Sequence, residues 1–456
     1  LHLVNKLYFY GTFLCTMNAS KSKAIVKGDP KTIRGWVMYD WANSVFQLTI
    51  LSAIFPIYFN SVTSHDGDCV IQVFGFDIIN TVAYSWSISA AYLFVALLSP
   101  FFSSMADYTG MRKSYMKFFT WVGSISCGLL YFFDPQHIEL GLIAFTLATI
   151  GYGGSIVFYN SFLPVIADPK DQDRISARGY SMGYIGGVVL LILNLAVILG
   201  QDALGIKDDS FPARIAFVTV FIWWIGFAQI TFRRLPRYTF GHGKASKRVL
   251  TNGYSELRKV FRQILKSRSL TFFLFGFFFM MMGTLTVMFM AATYGEKEVG
   301  LDDTTLIATV LVIQLVGSVG AHGFAWLSSK IGNFQSLIIT VFWWVFVCVA
   351  AYFITDAFGF MIVAFFIGLV MGGSQALARS TYSKMLPKTT DHTSFFSFYD
   401  VMEKLATVGG TFSFGLIEAI TGNMRTSVVA ICIYFILSLF FFLLLYLSQK
   451  GKLTFK

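Results

Sequence analysis

This chain is short of charge: Asp, Glu, Lys and Arg make up 13% of its 456 residues, against 55% hydrophobic residues and 50 Phe. Soluble globular domains carry about 25% charged residues, so this balance excludes that class. Cysteine is also scarce. The five, Cys15, Cys69, Cys127, Cys348 and Cys432, show no paired spacing, which argues against a disulfide framework and a zinc site. No Gly-Lys-Ser/Thr loop occurs, so nothing suggests direct nucleotide drive,. No two of the six His have the H-E-x-x-H spacing, and no Ser/His/Asp order suggests a serine enzyme,. The expectation is a protein that is not an enzyme and holds no metal and no cofactor.

Apolar runs of about 20 residues, the length that crosses a hydrocarbon core, recur twelve times, the first over about 36–60 and the seventh over about 269–293. They are continuously apolar and too long for roughly ten-residue alternating strands, which sets aside a β-barrel. The fold class is therefore all-α, a polytopic membrane protein of twelve transmembrane helices. Lys and Arg collect on the cytoplasmic side. With the N-terminus inside, the outer loops hold only Lys207, Arg214, Lys297 and Arg425 of the 35 basic residues. The expected placement is multi-pass in the cell (inner) membrane with both termini cytoplasmic. The net charge of +11 then reflects topology, and no nucleic-acid partner is expected,.

A segment recurs 223 positions along: Tyr159 to Pro164 reads YNSFLP and Tyr382 to Pro387 reads YSKMLP, and Gly186-Gly187 returns as Gly409-Gly410. Two related six-helix bundles in tandem are how many secondary transporters are built. The divisions expected are an N-terminal cytoplasmic tail (1–35), a first bundle (36–232), a basic cytoplasmic linker (233–268), a second bundle (269–448) and a short tail (449–456). Residues 1–16 precede Met17, a plausible initiator, and read as an untranslated extension or a tail. The linker has eleven Lys and Arg against Glu256. It reads as an anchor on anionic lipid headgroups, with 255–266 as an amphipathic surface helix.

A charge inside a spanning helix costs roughly 2.5–3.5 kcal/mol on insertion scales, so each one needs a partner, a wet cavity or a function. In the first helix Asp40, Asn43, Ser44 and Gln47 fall at i, i+3, i+4 and i+7 on one face, ahead of a bend expected at Pro56. Asp40 reads either as a proton, cation or solute site or as a carboxylate that closes an inner gate on a basic residue. The tenth helix carries Gln375, Arg379 and Tyr382 along one side, and the eleventh Asp400, Glu403 and Lys404. Arg379 has the planar fork that clamps carboxylate or phosphate, whereas Asp400 and Lys404, at i and i+4, can simply neutralise each other. Gln314, Ser318 and His322 make a polar face on the eighth helix, His322 reading as a hydrogen-bonded structural residue. Tyr159 and Asn160, with Tyr382 as the repeat equivalent of Tyr159, read as lining a central path. After the second helix, Asp107, Gly110, Arg112 and Lys113 form a turn in which Asp107 can accept from Arg112 or cap a neighbouring helix. The second-half counterpart keeps Gly332 and loses the acid, so a one-sided cytoplasmic latch is expected.

Asp107 to Lys113 resembles the D-x-x-G-x-R-K loop of the major facilitator superfamily, with Ser103 where that motif begins with glycine. Tyr39 to Ser44 (YDWANS), Phe55 to Phe59, Phe158-Tyr159-Asn160, Arg174-Ile175-Ser176 and Ser374 to Ser380 are similar to its vacuole-effluxer-like branch. The resemblance spans about Arg34 to Leu447. It implies two pseudo-symmetric bundles rocking about a central site, and amino-acid export as a lead. The expected activity is secondary-active transport of a small polar organic solute by a monomer, with proton coupling through Asp40 or Glu403. Efflux of hydrophobic drugs, suggested by the Phe and Met of Phe272 to Met290, is the alternative. A non-transporting receptor or scaffold is the alternative of another class.

Overall fold

Asp29-Pro30 opens the first spanning helix. Proline at the first helical position gives up an N–H that would have no partner there, and the Asp29 carboxylate accepts from the Thr32 N–H at 3.0 Å,. The Thr32 hydroxyl and N–H hold that carboxyl below the ordinary carboxylate range. In the computed structural model, which describes residues 26–63, 70–208, 210–237, 249–301, 303–389, 391–421 and 424–449, this cap starts α1 (Pro30–Thr63) ahead of the apolar run itself. Residues 1–25, Cys15 and Met17 among them, lie outside the described residues, as do Cys69 and 238–248 of the linker.

Eleven further long helices follow in two sets. The first half continues with α2 (Asn80–Thr109), α3 (Arg112–Leu129), α4 (Ile138–Asn160), α5 (Gln172–Leu199) and α6 (Phe211–Arg234). The second comprises α7 (Arg268–Val299), α8 (Asp303–Ile331), α9 (Asn333–Phe353), α10 (Ala357–Met385), α11 (His392–Thr421) and α12 (Met424–Gln449). Among the described residues, ten of these twelve helices are long and apolar enough to cross a membrane. The other two are α3, which opens on Arg112, Lys113 and Lys117, and α11, with Asp400, Glu403 and Lys404 at mid-length. They hold their places by packing, α3 on α4 and α6, α11 on α2 and α7.

Two local features add to the expected outline. A hairpin, β1 (Val70–Val73) antiparallel to β2 (Phe76–Ile79), joins α1 to α2, with Val70 opposite Ile79. Within α1, Phe46–Ala53 is π-helical, and the Ile54 N–H reaches back to the Thr49 carbonyl. The irregularity expected at Pro56 thus sits just upstream of it, where the ring and missing N–H disturb the preceding turn.

The buried apolar residues form two large cores, one running from Trp36 to Leu235 and the other from Val260 to Leu445. Between the halves, α2 lies along α11, and α5 along α8 and α10. Ala177, Ala321 and Ala376 meet at that second seam, small enough to let the three backbones approach,. The repeated glycine pairs do the same job in each half. A Cβ at Gly186 would press on the Trp41 carbonyl of α1, and one at Gly410 on the Met282 carbonyl of α7.

Helix crossings alternate, so both described ends of the chain lie on one face, here called the terminal face. The linker helix lies there too. It runs Val249–Lys266, a turn and a half longer than expected, and packs on α2 with Val260 and Ile264 buried and Phe261 and Leu265 exposed.

Candidate functional site

Asp40 and Arg379 are 339 residues apart and meet at the seam between the halves. The Asp40 Oδ2 atom lies 3.3 Å from Nη1 and Nη2 of Arg379 and accepts from the Tyr159 hydroxyl at 2.6 Å. Arg379 also donates through Nε to Ser176 Oγ at 2.9 Å, through Nη2 to the Ser176 carbonyl at 2.8 Å and through Nη1 to Asn160 Oδ1 at 3.4 Å. Its guanidinium lies 4.1 Å from the Tyr180 ring centroid and 4.8 Å from that of Trp36. With Arg379 2% exposed and Asp40 6%, the pair is desolvated, and every donor direction of the fork is taken by protein. Three helices of the first half therefore grip one residue of the second.

Above this pair, away from the terminal face, is an inner chamber of about 90 Å³. Asp40, Asn43, Ser44, Gln47, Asn160, Gln314, Gln375, Arg379, Glu403 and Lys404 all line it. It adjoins an outer cavity of about 770 Å³, with Gln47, Tyr92, Gln314 and Thr407 common to both. The larger cavity falls within the size range of small-molecule sites. Its other walls include Pro56, Tyr84 and Phe360, near the helix ends opposite the terminal face, while Met288 and Phe289 line both cavities. Lys404 lies between two carboxylates, 3.3 Å from Asp400 and 3.2 Å from Glu403. Tyr152 donates to Gln47 Oε1 at 3.0 Å, and Tyr184 to Gln375 Oε1 at 3.2 Å.

On the terminal face the halves are tied twice. Asp107 is 2.8 Å from Arg112 Nε and accepts from the backbone N–H groups of Thr393 (3.2 Å) and Ser394 (2.6 Å) at the start of α11. A carboxylate at a helix N-terminus gains from the unpaired N–H groups and from the dipole. Gly110 turns the chain there with φ 71°, a value that suits glycine. Lys113 points elsewhere, to the Leu235 carbonyl at 2.7 Å. Ser103 turns its hydroxyl onto the Pro100 carbonyl of its own helix at 2.9 Å, and α2 and α11 still pack together.

The expectation of a one-sided latch is corrected by the second tie. Asp173, in the first turn of α5, accepts from Ser328 Oγ (2.7 Å), Asn333 Nδ2 (2.8 Å) and Lys384 Nζ (2.6 Å), all from the second half. The second-half turn has no acid of its own, but Ser328 and Asn333 there act as donors, and the acid stands on α5 of the other half.

The structure gathers all but one of the expected site residues near the chamber or the turn at Asp107. Tyr382 is the exception. Although it is the repeat equivalent of Tyr159, its hydroxyl donates to the Phe395 carbonyl at 2.7 Å and its ring packs on Phe273 and Tyr399, inside the second core. The difference is physical: Tyr159 has a carboxylate within reach on α1, and Tyr382 has a backbone carbonyl. His322 bonds to Ser181 Oγ at 2.9 Å between α8 and α5, as a structural histidine would. The sequence reading had Ser176 only as part of a family-like motif, and missed Tyr180 and Tyr184. Their i, i+4, i+8 spacing on α5 was the available signal.

Gly179 allows the central pair to form. A Cβ there would run into Asp40 Oδ2 and the Arg379 fork, whereas one at Gly226 meets open space. Gly179→Ala should lower the thermal unfolding midpoint, overpacking costing roughly 1–3 kcal/mol, while Gly226→Ala leaves it equal or higher. Equal midpoints for the two variants would show that the seam is not tightly packed at Gly179.

Two helical halves that enclose a polar chamber at their seam and interlock on one face define the architecture of a major facilitator transporter. Solved structures of that class share it. The human organic anion transporter MFSD10 (TETRAN) superposes with a TM-score of 0.71 at 10% identity, covering 91% of this chain and 100% of that one. FucP in the outward conformation gives 0.67 at 13% identity, covering 92% and 99%. The family described as vacuole effluxer Atg22 like matches residues 28–454, and the chain belongs to that family. Among its relatives, the uncharacterized MFS-type transporter YxiO of Bacillus subtilis (strain 168) is 29% identical over 91% of this chain and 95% of its own length. Autophagy-related protein 22-1 of Aspergillus clavatus is 22% identical over 81% of this chain and 74% of its own.

Proposed function

We propose that this protein is a secondary-active transporter that moves a small polar organic solute, amino-acid or peptide-like, by alternating access, in the direction of export and with proton coupling. The observation that carries the reading is the seam. The charged residues of the chamber, Asp40, Arg379, Glu403 and Lys404, come from both halves. A rigid-body movement of one half against the other must therefore remake the site. In this reading the terminal face is cytoplasmic, the protein works as a monomer in the cell membrane, and residues 233–268 are the basic cytoplasmic linker between bundles 36–232 and 269–448. Asp107, Gly110 and Arg112, with Asp173 and Lys384, form the cytoplasmic gate. The family description supports export.

The test is uptake and efflux of a labelled amino-acid and dipeptide panel in proteoliposomes under an imposed pH gradient, comparing wild type with Asp40→Asn and Arg379→Ala. Gradient-dependent flux that falls at least about tenfold in both variants is the expected result. Met288, Phe289 and Met290 in the outer wall favour hydrophobic drugs as a second reading. A fluorescent lipophilic dye in the same panel separates the two by competition.

A further inference from the structure

The charges at the inner chamber do not balance. Asp40 and Arg379 cancel, but Lys404 faces both Asp400 and Glu403. One ammonium neutralises one carboxylate and leaves a surplus negative charge. Glu403 faces the chamber with its side chain 25% exposed, while Asp400 is 2% exposed and its Oδ2 has no hydrogen-bond partner. A surplus carboxylate charge inside a membrane is costly unless a cation completes it. Neither cation lining the chamber is available, because Arg379 is held in five hydrogen bonds and Lys404 already lies between the two acids.

We propose that the Asp400, Glu403 and Lys404 cluster is an exchange site at which a solute of net positive charge, carrying an ammonium or guanidinium group, competes with a proton. The inference rests on the transporter reading and narrows its solute. One surplus charge admits one compensating cation, so proton and solute exclude each other. When the chamber faces one solution, a proton from that side neutralises Glu403 or Asp400 and the solute leaves. When it faces the other, the solute's cation takes that place and the proton passes to that solution. The cycle exchanges one cation for one proton.

The surroundings suit such a head group. The Tyr92 ring already lies 5.4 Å from Lys404 Nζ, and an aromatic face attracts a desolvated cation. The inner chamber is large enough for a head group alone, and the outer cavity, with Val310, Ile313 and Phe360 in walls it does not share with the chamber, takes an apolar body. The other titratable groups facing the cluster are Tyr92 of α2, Tyr152 of α4, Tyr180 and Tyr184 of α5, Tyr399 of α11 itself, and the Asp40–Arg379 pair. Ordinary phenols carry no charge between about pH 5 and 8, and the pair is internally neutral. The cluster itself is thus the group that exchanges the proton.

The experiment uses the full-length protein and permanently charged probes, so that any proton released comes from the protein. Tetraethylammonium and choline are added to weakly buffered, detergent-solubilised protein, and the proton release is read with a pH dye. Their flux in proteoliposomes is compared with that of neutral, zwitterionic and anionic solutes. The expected result is about one proton released per cation bound, with cation flux driven by a pH gradient. Glu403→Gln and Asp400→Asn should each reduce proton release and flux about tenfold or more, with unfolding midpoints reporting that the variants are folded. Flux confined to neutral, zwitterionic or anionic solutes, with no proton release, overturns the inference and leaves transport standing. No flux of any solute by folded protein overturns both.

Discussion

Asp40→Asn should leave the protein folded but open on the terminal face, with transport lost. Asn keeps the shape of Asp40 and can still accept from Tyr159 and Arg379, but it removes the charge that offsets a guanidinium 2% exposed. Breaking a buried pair from one side costs roughly 3–5 kcal/mol. If the terminal-open arrangement lets water reach Arg379, most of that cost is relieved by opening. An equilibrium between the two arrangements then moves by about two to three decades. Ser161, fully buried and bonded to Thr393 across the seam, is the reporter. In a Ser161→Cys background an impermeant maleimide applied from the terminal side should label Asp40→Asn far faster than the parent. Asp40→Asn combined with Arg379→Gln removes both charges and should return labelling toward the parental rate without restoring transport. If the double variant labels as fast as the single one, the buried guanidinium is not what drives the opening.

The second large effect is expected from the two ties on the terminal face taken together. Asp107 accepts two backbone N–H groups of α11, and Asp173 accepts from Ser328, Asn333 and Lys384. Hydrogen bonds to a charged group are worth about 1.5–3 kcal/mol each. The Asp173 cluster is partly exposed, with the Lys384 side chain 22% accessible, so its contribution lies toward the lower end. Asp107→Ala alone should raise the labelling rate about tenfold or more, and Asp173→Ala somewhat less. The double variant should approach the product of the two, since effects at separate sites add in free energy. Conservative Asp107→Asn, which keeps one acceptor oxygen, should fall between wild type and Asp107→Ala. A double variant no faster than either single one would mean that the two ties act as one contact.

The bundle architecture was legible in the sequence because it depends on run length and on charge placement, both of which are local. The repeat between Tyr159–Pro164 and Tyr382–Pro387 marked equivalent helices, and the glycine pairs marked equivalent close approaches. Equivalent positions did not guarantee equivalent roles, as Tyr382 shows. Asp40, Arg379, Glu403 and Lys404 stood out individually because charge is rare in such helices. That Asp40 pairs with Arg379 could not be read, since nothing local links residues so far apart. Asp173 was missed for the opposite reason: an acid in the first turn of a helix is ordinary, its N-terminal place being favourable without a partner. Tyr180 and Tyr184 were hidden by abundance in a chain with 21 Tyr and 50 Phe. The hairpin at Val70–Ile79 is too short to stand out between two long apolar runs.

Alternating access makes one demand that no static contact can meet: the two faces must move in opposite senses. Spin labels at Arg174 and Lys330 report across the terminal face, and labels at Leu204 and Phe358 across the opposite one, all four being exposed positions. Pulsed electron-resonance distances should show two populations in each pair. Asp107→Ala/Asp173→Ala should lengthen the first distance while shortening the second. Distances that stay fixed in both pairs, or lengthen together, would contradict a transporter whose halves rock about the Asp40–Arg379 seam.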